Sequence, residues 1–594
     1  MNVLLVVVAG GAILLLASRT YPFWISRVFD QNDANPPPSE RFADGKEYVK
    51  TPSQVVFAHH FASIAGAGPI VGPILALAFG WGPAWLWIIF GGILYGAVHD
   101  MTAMFVSLRE GGKTIAEVAR RTLGTTGYLL FVLFLILVLC LINAIFLNLS
   151  ARALTSVVSI EALGVPARET VLATFTTNGM VFAQIGGIAT TSVFIMTAFA
   201  PVLGVLIYRR GLRAMPAFGF AAAVCVGSVL AGFYFPIRLS DDLEQARLIW
   251  KWMLAAYVFV GCWIPVWLTI QPRDFTNVQI LYAGVILLLA GLLIAGLGGT
   301  NLSMEHVATL AEGARVRGPL WPFLFITIAC GAISGFHSLV ASGTTVKQIP
   351  RESDCRRVGY NAMLLESFLA LLVLVAVASQ LTRGQYMQIV NPPGGGGNAV
   401  LAFALGCGGA FSHLGIPRDI GSVLGILIVE GFLITTLDTA VRLCRYLLEE
   451  LWNCLFAGRV PKLLQWRATN TVLAVGGMLL IALSQVYDQI WMIFGSGNQL
   501  IGALSLTTVT IWLLQRRKPV WFVAIPAACM VATTLVALWS RIHIDLDAGN
   551  KPLALAGAFL LLLAASFVLV ATWKVWMEVR AVARQSQTTD RSTR

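Results

Sequence analysis

The sequence predicts an all-α polytopic membrane protein with about fifteen transmembrane helices, ten of which form two inverted repeats of five. Three observations lead to this fold class. The 594-residue chain is 57% hydrophobic and 12% charged, which leaves too little polar surface for a soluble globular protein. Its apolar runs recur at roughly 20 residues, the length that crosses a ~30 Å hydrocarbon core. Two of these runs are interrupted in a similar way.

The apolar runs give the positions of the predicted spans. They begin near Asn2, Ser53, Pro83, Thr126, Gly187, Met215, Leu248, Val278, Leu320, Tyr360, Gly421, Asn470, Gln489, Pro519 and Pro552. Two long connections, from Ser150 to Ile185 and from Thr382 to Asp419, are too polar or too broken to span, and each has room for a short re-entrant or surface helix.

The basic residues set the predicted topology. The first helix, Asn2 to Ser18, has no Lys or Arg before it and Arg19 after it, the reverse of a secretory signal. We therefore expect a retained helix with its N-terminus outside. If the later spans alternate, most of the 41 Lys and Arg residues lie on one side, which places the C-terminus in the cytoplasm.

The same distribution explains the net charge of +12, because the basic residues are spread among short loops and form no nucleic-acid-binding arm. The nine cysteines show no CxxC pair and no metal-ligand spacing, so we expect core packing and neither metal nor cofactor. No Walker A, GxSxG or HExxH motif is present, so no catalytic residues are expected. An ion gradient is the expected energy source.

The first interrupted span reads HHFASIAGAGPIVGP, from His59 to Pro73. Pro69 and Pro73 lack the N–H groups that a continuous helix needs, and glycines surround them. Such backbone persists at membrane depth only where protein or a water-filled cavity surrounds it. The segment therefore indicates a transporter.

The second interrupted span lies between Pro322 and Thr345, where Gly331 and Gly335 repeat the spacing of Gly68 and Gly72. The predicted topology threads it in the opposite sense, as in inverted-repeat carriers. The resulting organisation is an N-terminal helix and cytoplasmic loop (1–52), a first repeat (53–235), two intervening helices (236–319), a second repeat (320–514), two C-terminal helices (515–580) and a cytoplasmic tail (581–594). Small residues four apart also pack uninterrupted helices closely, which is the alternative interpretation.

Ionisable and hydroxyl side chains at membrane depth are costly and identify the candidate site. The predicted substrate- and ion-binding residues are His59, His60, Gly66, Gly68, Pro69, Gly72, His99, Asp100, Gly331, Ser334, Gly335, His337, Ser338, Ser342, Thr435, Thr436, Asp438, Thr439, Arg442 and Asn498. Ordinary explanations remain for each group: a helix-entry histidine, packing contacts, or hydroxyls bonded to their own helix.

Two pairs within this set have a predicted geometry. Adjacent His99 and Asp100 are expected on different faces of one helix, so that one faces the pathway. Asp438 and Arg442 have the i, i+4 spacing of an ion pair on a stripe of threonines. Asp438 is the predicted exchangeable proton site, which takes a proton outside, releases Arg442 and resets inside. A static ion pair is the alternative.

The chain resembles the carbon starvation protein A family of bacterial inner-membrane transporters. The resemblance rests on DGKEYVKTP at Asp44, HHFASIAGAGPIVGPILA at His59, GAVHDM at Gly96, ACGAISGFHSLVASGTTVKQ ending at Gln348, MLLES at Met363, TTLDTAVRLCRY at Thr435 and FGSGNQL at Phe494. Lys50 and Asn361 depart from the expected proline and glycine, away from the proposed site.

The resemblance implies uptake of small peptides or pyruvate during carbon limitation, with the leucine-transporter-type five-plus-five repeat. It also implies that the helix holding Thr435 to Thr439 packs against the first broken helix, where sodium-coupled relatives hold a cation. Here a proton is the expected coupling ion and sodium the alternative, and the expected partners are a small-molecule substrate and membrane lipid. The rival functions are a carrier of another small carboxylate or amino acid, a channel, and a membrane-embedded haem or metal enzyme using the histidines.

Overall fold

The computed structural model describes residues 1–44, 47–163, 170–177, 179–265, 268–307, 310–393, 396–484 and 490–592. The described chain is mostly helical, as predicted. The helices are α1 (Val3–Val28), α2 (Pro38–Arg41), α3 (Ser53–Ile64), α4 (Gly68–Ala76), α5 (Trp81–Leu86), α6 (Ala97–Arg109), α7 (Ile115–Leu154), α8 (Ile160–Leu163), α9 (Ile185–Tyr208), α10 (Ala214–Tyr234), α11 (Leu243–Gly261), α12 (Ile270–Leu297), α13 (Leu310–Arg317), α14 (Leu320–Thr327), α15 (Gly335–Gly343), α16 (Asn361–Gln380), α17 (Arg383–Val390), α18 (Ala399–Ser412), α19 (Arg418–Leu455), α20 (Lys462–Gln465), α21 (Arg467–Ala482), α22 (Ile490–Gln515), α23 (Trp521–Asp547) and α24 (Lys551–Ser592).

Shorter elements join or extend these helices. Leu77–Phe79 and Thr345–Lys347 are 3₁₀ turns, while the π-helical segments Trp87–Gly96 and Cys355–Tyr360 continue into α6 and α16. A small antiparallel sheet, which the sequence did not predict, follows α7. Its strands are β1 (Val157–Ser159), β2 (Thr174–Thr177) and β3 (Met180–Gln184), in the order β1-β3-β2.

Eleven helices in the described chain are long and apolar enough to cross a membrane, and α3 with α4 forms a twelfth, bent candidate. Helices occur at all fifteen predicted positions. Those that fail the length and composition test include α21, which has 16 residues, and the broken pair α14 and α15. The structure therefore supports a multi-pass membrane protein, and the number of fifteen transmembrane helices stays a prediction.

The first interrupted span is broken as predicted. Helix α3 ends at Ile64, α4 begins at Gly68, and the two axes differ by 47°. Pro69 lies in the first turn of α4, where a missing N–H costs nothing because that donor has no partner within a helix. The proline thus starts the second half rather than kinking a continuous helix.

The second interrupted span is broken more widely, since residues 328–334 separate α14 from α15. Helix α22 caps the break, because Asn498 Oδ1 accepts the Phe336 N–H at 3.0 Å and Asn498 Nδ2 donates to Ser334 Oγ at 3.0 Å. A Cβ on Gly335 would lie 2.2 Å from the Asn498 carbonyl oxygen, so only glycine permits this approach.

The two broken spans run in opposite directions and meet at their breaks. The chain entering α3 pairs with the chain leaving α15, because the Thr51 N–H donates to the Gln348 carbonyl at 3.0 Å. Near the breaks, a Cβ on Gly68 would lie 2.2 Å from the Cys330 side chain. The predicted breaks and the opposite directions of the two segments are confirmed.

The two longest buried helices complete the framework around the breaks. Helix α19 packs along α7 and also contacts α3, so the helix holding Thr435 lies against the first broken span as the resemblance implied. Helix α18, inside the second long connection, is buried between α16 and α19. The same connection holds α17, in which only Tyr386 and Val390 are buried, so it contains a surface helix as expected and a packed helix that was not expected.

Candidate functional site

A cavity of about 2120 Å³ lies between α3, α10, α12 and α19. Its polar lining near the first break includes His59 and Ser63 from α3, with Asp274 from α12 and Arg442 from α19. The cavity is also lined by Gln348, which follows the inner end of α15. It therefore reaches from the side predicted to be cytoplasmic to the first broken helix.

One buried cluster beside this cavity comprises Tyr257, Arg273, Asp274, Thr435 and Asp438, and we call it the Arg273 cluster. Arg273 Nη2 lies 2.7 Å from Asp438 Oδ2. The Tyr257 hydroxyl donates to the same carboxylate oxygen at 3.0 Å and also bonds to Arg273. Arg273 is 2% exposed and Asp438 3% exposed, so the two charges neutralise each other out of contact with water.

This arrangement corrects the predicted ion pair between Asp438 and Arg442. Arg442 Nη2 instead donates to the Gly261 carbonyl at 2.7 Å. The i, i+4 spacing is present, but a guanidinium from another helix occupies the carboxylate. Spacing along one helix sets which residues share a face, and it does not account for a competing partner across the helix interface.

Asp274 connects the cluster to the cavity that it lines. Its Oδ1 accepts the Thr435 hydroxyl at 2.9 Å and lies 3.4 Å from Arg273 Nη2. The carboxylates of Asp274 and Asp438 thus share one guanidinium. A second cation, or a proton on one carboxyl group, would be needed to balance both when they are ionised.

Thr436 lies at the first break itself. Its hydroxyl is buried and has no hydrogen-bond partner in the described part of the chain, and a Cβ on Gly66 would lie 3.0 Å from it. Thr435 and Asp438, which the spacing placed on one stripe, both contact α12, while Thr436 on a neighbouring face of α19 lies at the break. Thr439 is half-buried.

A second buried cluster comprises His99, Asp100, His337 and Glu366, and we call it the His337 cluster. His337 Nδ1 is bonded to Asp100 Oδ2 at 2.8 Å, and its Nε2 lies 3.2 Å from Glu366 Oε2. His99 Nδ1 is bonded to Asp100 Oδ1 at 2.7 Å. His99 and Asp100 therefore face each other, which contradicts the prediction that they point to different faces.

The remaining predicted residues fall around the second broken helix. His60 Nδ1 is bonded to Thr345 Oγ1 at 2.9 Å, which ties the second half of α3 to the 3₁₀ turn that follows α15. The Ser338 hydroxyl lies 2.9 Å from Ser505 Oγ, and Ser342 donates to the Ser338 carbonyl. Most hydroxyl bonds here serve helix packing, the ordinary explanation that the sequence left open.

The glycines at the breaks act through close approach. A Cβ on Gly72 would lie 2.9 Å from the Thr327 carbonyl oxygen, and one on Gly331 would lie 2.5 Å from Ala370 Cβ. Each contact brings backbone or a small side chain of one broken helix against its neighbour. These glycines thus permit the two broken helices to pack closely at the breaks.

Sequence analysis missed Tyr257, Arg273 and Asp274, because α11 and α12 were assigned to the intervening region outside both repeats. An available signal was the sequence RD at Arg273 next to a long apolar run, since an arginine and an aspartate at membrane depth require a partner. Within the described residues, no group of three or more His, Cys, Asp or Glu side chains is placed to hold a metal ion.

Comparison with known proteins supplies the family. The model of the family described as carbon starvation protein CstA matches residues 2–400 and 394–537. Peptide transporter CstA of Bacillus subtilis (strain 168) is 29% identical over 626 residues, covering 98% of each chain. Pyruvate/proton symporter BtsT of Escherichia coli (strain K12) is 30% identical over 630 residues, covering 90% of this chain and 81% of the symporter.

Among solved structures, a mutant manganese transporter of Eremococcus coleocola aligns at 10% identity, covering 91% of this chain and 99% of that one. The TM-score of this alignment is 0.39. The family match, in contrast, extends over most of the sequence and includes both broken helices and both buried clusters. The chain belongs to the carbon starvation protein CstA family, and it is a membrane transporter and not an enzyme.

Proposed function

We propose that this transporter is a proton-coupled importer of small carboxylate-bearing substrates, pyruvate or small peptides, across the bacterial inner membrane during carbon limitation. The observation that carries the proposal is the buried Arg273–Asp438 pair next to a cavity that reaches the first broken helix. The names of the relatives, a peptide transporter and a pyruvate/proton symporter, supply the two substrate classes.

The proposed architecture is fifteen spans with a five-plus-five inverted repeat, residues 53–235 and 320–514, and peripheral helices outside it. The antiparallel broken spans support the inversion. The N-terminus would lie outside and the C-terminus in the cytoplasm, because this orientation puts most basic loops inside. In that orientation the cavity is open to the cytoplasm.

The proposed coupling step uses the competition for Arg273. A substrate carboxylate that binds Arg273 displaces Asp438, which is then a buried and uncompensated anion. A proton on Asp438 removes that charge, so each ligand favours binding of the other. Asp438 remains the exchangeable proton site of this proposal, with Arg273 in the role that the sequence analysis gave to Arg442.

The free-energy cost of an unpaired buried charge is large enough to couple proton binding to substrate binding. Leaving one member of a buried ion pair unpaired costs about 3–5 kcal/mol. This cost would weaken the binding of substrate in the absence of the proton, or of the proton in the absence of substrate, by a factor of at least about 100. Carrier cycles of this kind need a coupling free energy of about 1–3 kcal/mol. Substrate or proton alone would therefore bind poorly, and transport of one without the other would be suppressed.

Sodium coupling is the second candidate, and one observation favours it. The Thr436 hydroxyl, for which the described residues supply no hydrogen-bond partner, lies at the first break, where the backbone between α3 and α4 offers further oxygen atoms. Oxygen ligands of this kind suit a hard cation. This candidate predicts uptake that depends on external sodium at constant pH.

The test is uptake of labelled pyruvate, dialanine and trialanine into proteoliposomes, with and without an imposed inward proton gradient. Accumulation above the external concentration that collapses with a protonophore supports proton coupling. Accumulation driven by a sodium gradient alone would favour the alternative, and flux without accumulation would indicate a channel. The Asp438→Asn variant provides the matched control, because it should bind substrate and exchange it yet fail to concentrate it.

A further inference from the structure

The His337 cluster lies outside the cavity described above and plays no part in the coupling step at Arg273. Its four side chains are fully buried. It joins the second half of the second broken helix, α15, to α6 through Asp100 and to α16 through Glu366. The cluster is therefore a set of ionisable contacts between a broken helix and its surroundings.

The two buried clusters differ in how their charge is balanced. In the Arg273 cluster a guanidinium, which stays protonated, faces the carboxylates. In the His337 cluster the two carboxyl groups, Asp100 and Glu366, have only histidines as basic neighbours. Its charge is balanced only when protons are bound, because a histidine is cationic only after taking one.

Among the described residues that neighbour His337, none is an arginine or a lysine. Helix α6 contributes Asp100 and His99, α16 contributes Glu366, and α3 contributes His60 within electrostatic range. Helix α22 packs against α15 with uncharged side chains, Ser505 and Asn498. The bound protons thus belong to the cluster as a whole.

His337 lies between the two carboxyl groups of the cluster. Both ring nitrogens of His337 face carboxyl oxygens, at 2.8 Å to Asp100 and 3.2 Å to Glu366. The contact with Asp100 is a hydrogen bond, whereas the contact with Glu366 lacks hydrogen-bond geometry and is favourable only as an attraction between a cationic ring and an ionised carboxyl group. Any separation of α15 from α16 breaks this attraction and leaves a buried carboxylate unpaired unless Glu366 takes up a proton.

We propose that the His337 cluster is a second proton-binding site, so that two protons move with each substrate. The inference rests on the proposed proton-coupled function and adds a stoichiometry to it. On the outside-facing side of the cycle, Glu366 takes a proton from water as α15 moves away from α16. When α15 returns to the arrangement seen here, the contact with His337 reforms and that proton leaves to the cytoplasm.

The test measures how strongly the membrane potential drives accumulation in proteoliposomes. Two protons with one pyruvate anion carry one net positive charge inward, whereas one proton with pyruvate is electroneutral. Zwitterionic dialanine carries no net charge, so its uptake moves two positive charges inward with two protons and one with a single proton. With either substrate, the wild type should move one more positive charge inward per transport cycle than Glu366→Gln. The variant should still fold and transport, since glutamine leaves the opposite charges of Asp100 and His337 paired.

One charge corresponds to roughly a 50-fold change in the accumulation ratio per 100 mV. We expect the wild type to show this extra dependence, Glu366→Gln to lose it while retaining gradient-driven uptake, and Ser367→Ala to keep it. Ser367 is the matched control because it is the next residue on α16, is buried, and bonds only to its own helix.

The outcomes separate the inference from the function on which it rests. An unchanged voltage dependence in an active Glu366→Gln variant overturns the second proton site and leaves proton coupling in place. If that variant is inactive, the voltage dependence of the wild type alone tests the inference. Electroneutral uptake of pyruvate, or uptake of dialanine with a single charge, overturns the second proton site. A wild type that does not respond to the proton gradient at all overturns the proposed function instead.

Discussion

Removing the positive charge of Arg273 should destabilise the protein far more than removing the pair. Replacement by methionine keeps most of the side-chain volume but leaves Asp438 ionised and without its partner, at 3% exposure. We expect Arg273→Met to lower the free energy of unfolding by about 3–5 kcal/mol. The double variant Arg273→Met/Asp438→Asn removes the unpaired Asp438 charge and should recover most of the loss that this charge causes, because replacing both members of a buried pair is often nearly neutral. Asp274 loses its 3.4 Å contact with Arg273 and keeps its hydrogen bond from Thr435 in the single and the double variant alike.

The assay is a double-mutant cycle on unfolding free energies, measured by steric trapping in bicelles. The coupling between Arg273 and Asp438 should be at least about 2 kcal/mol, and the loss in Arg273→Met should shrink as the pH is lowered, because a proton then neutralises Asp438. The matched control is the cycle with Arg442→Met. Arg442 bonds to the Gly261 carbonyl, so its coupling to Asp438 should stay below about 1 kcal/mol.

A result that reverses this order would refute the reasoning. If Arg442 couples strongly to Asp438 while the Arg273 cycle is additive, the pair predicted from helix spacing is the functional one. The competition for Arg273 would then have no basis, and the substrate carboxylate would need another partner.

Three further predictions concern the breaks and the cluster. Gly68→Ala should abolish uptake, since its Cβ would lie 2.2 Å from the Cys330 side chain, and Cys330→Gly should restore part of the activity measured in proteoliposomes. Asn498→Ala removes the acceptor for the Phe336 N–H and should cost about 1–3 kcal/mol of unfolding free energy in the same steric-trapping assay. Tyr257→Phe removes one hydrogen bond to Asp438 and should cost about 0.5–1.5 kcal/mol while proton-driven accumulation persists, because the Arg273 contact remains.

The breaks in both spans were predictable because their causes are local. Pro69 cannot supply a helix donor, and Gly68 and Gly331 remove bulk wherever they occur along the chain. Opposite threading followed from the distribution of basic loops. These features depend on residue type and order, so the sequence contains them directly.

The partners within the site were not predictable, because they depend on contacts between distant helices. Asp438 and Arg273 are separated by most of α12 and the whole second broken span, and no spacing rule connects them. No spacing rule pairs Glu366 with His337 either, although the structure places Glu366 Oε2 3.2 Å from His337 Nε2. The small sheet after α7 was missed for a similar reason, since its short strands lie in a segment too polar and irregular for hydropathy to interpret.

Side-specific labelling of Ser63 tests the central claim, that the antiparallel broken spans enclose a chamber open to one side at a time. Ser63 lines the cavity at the first break, and Ser63→Cys in a cysteine-free background changes one atom. A membrane-impermeant thiol reagent should label it from the cytoplasmic side at rest, and from outside only when substrate and an inward proton gradient are present. Labelling from both sides under one condition, or from neither side under any, would contradict the account.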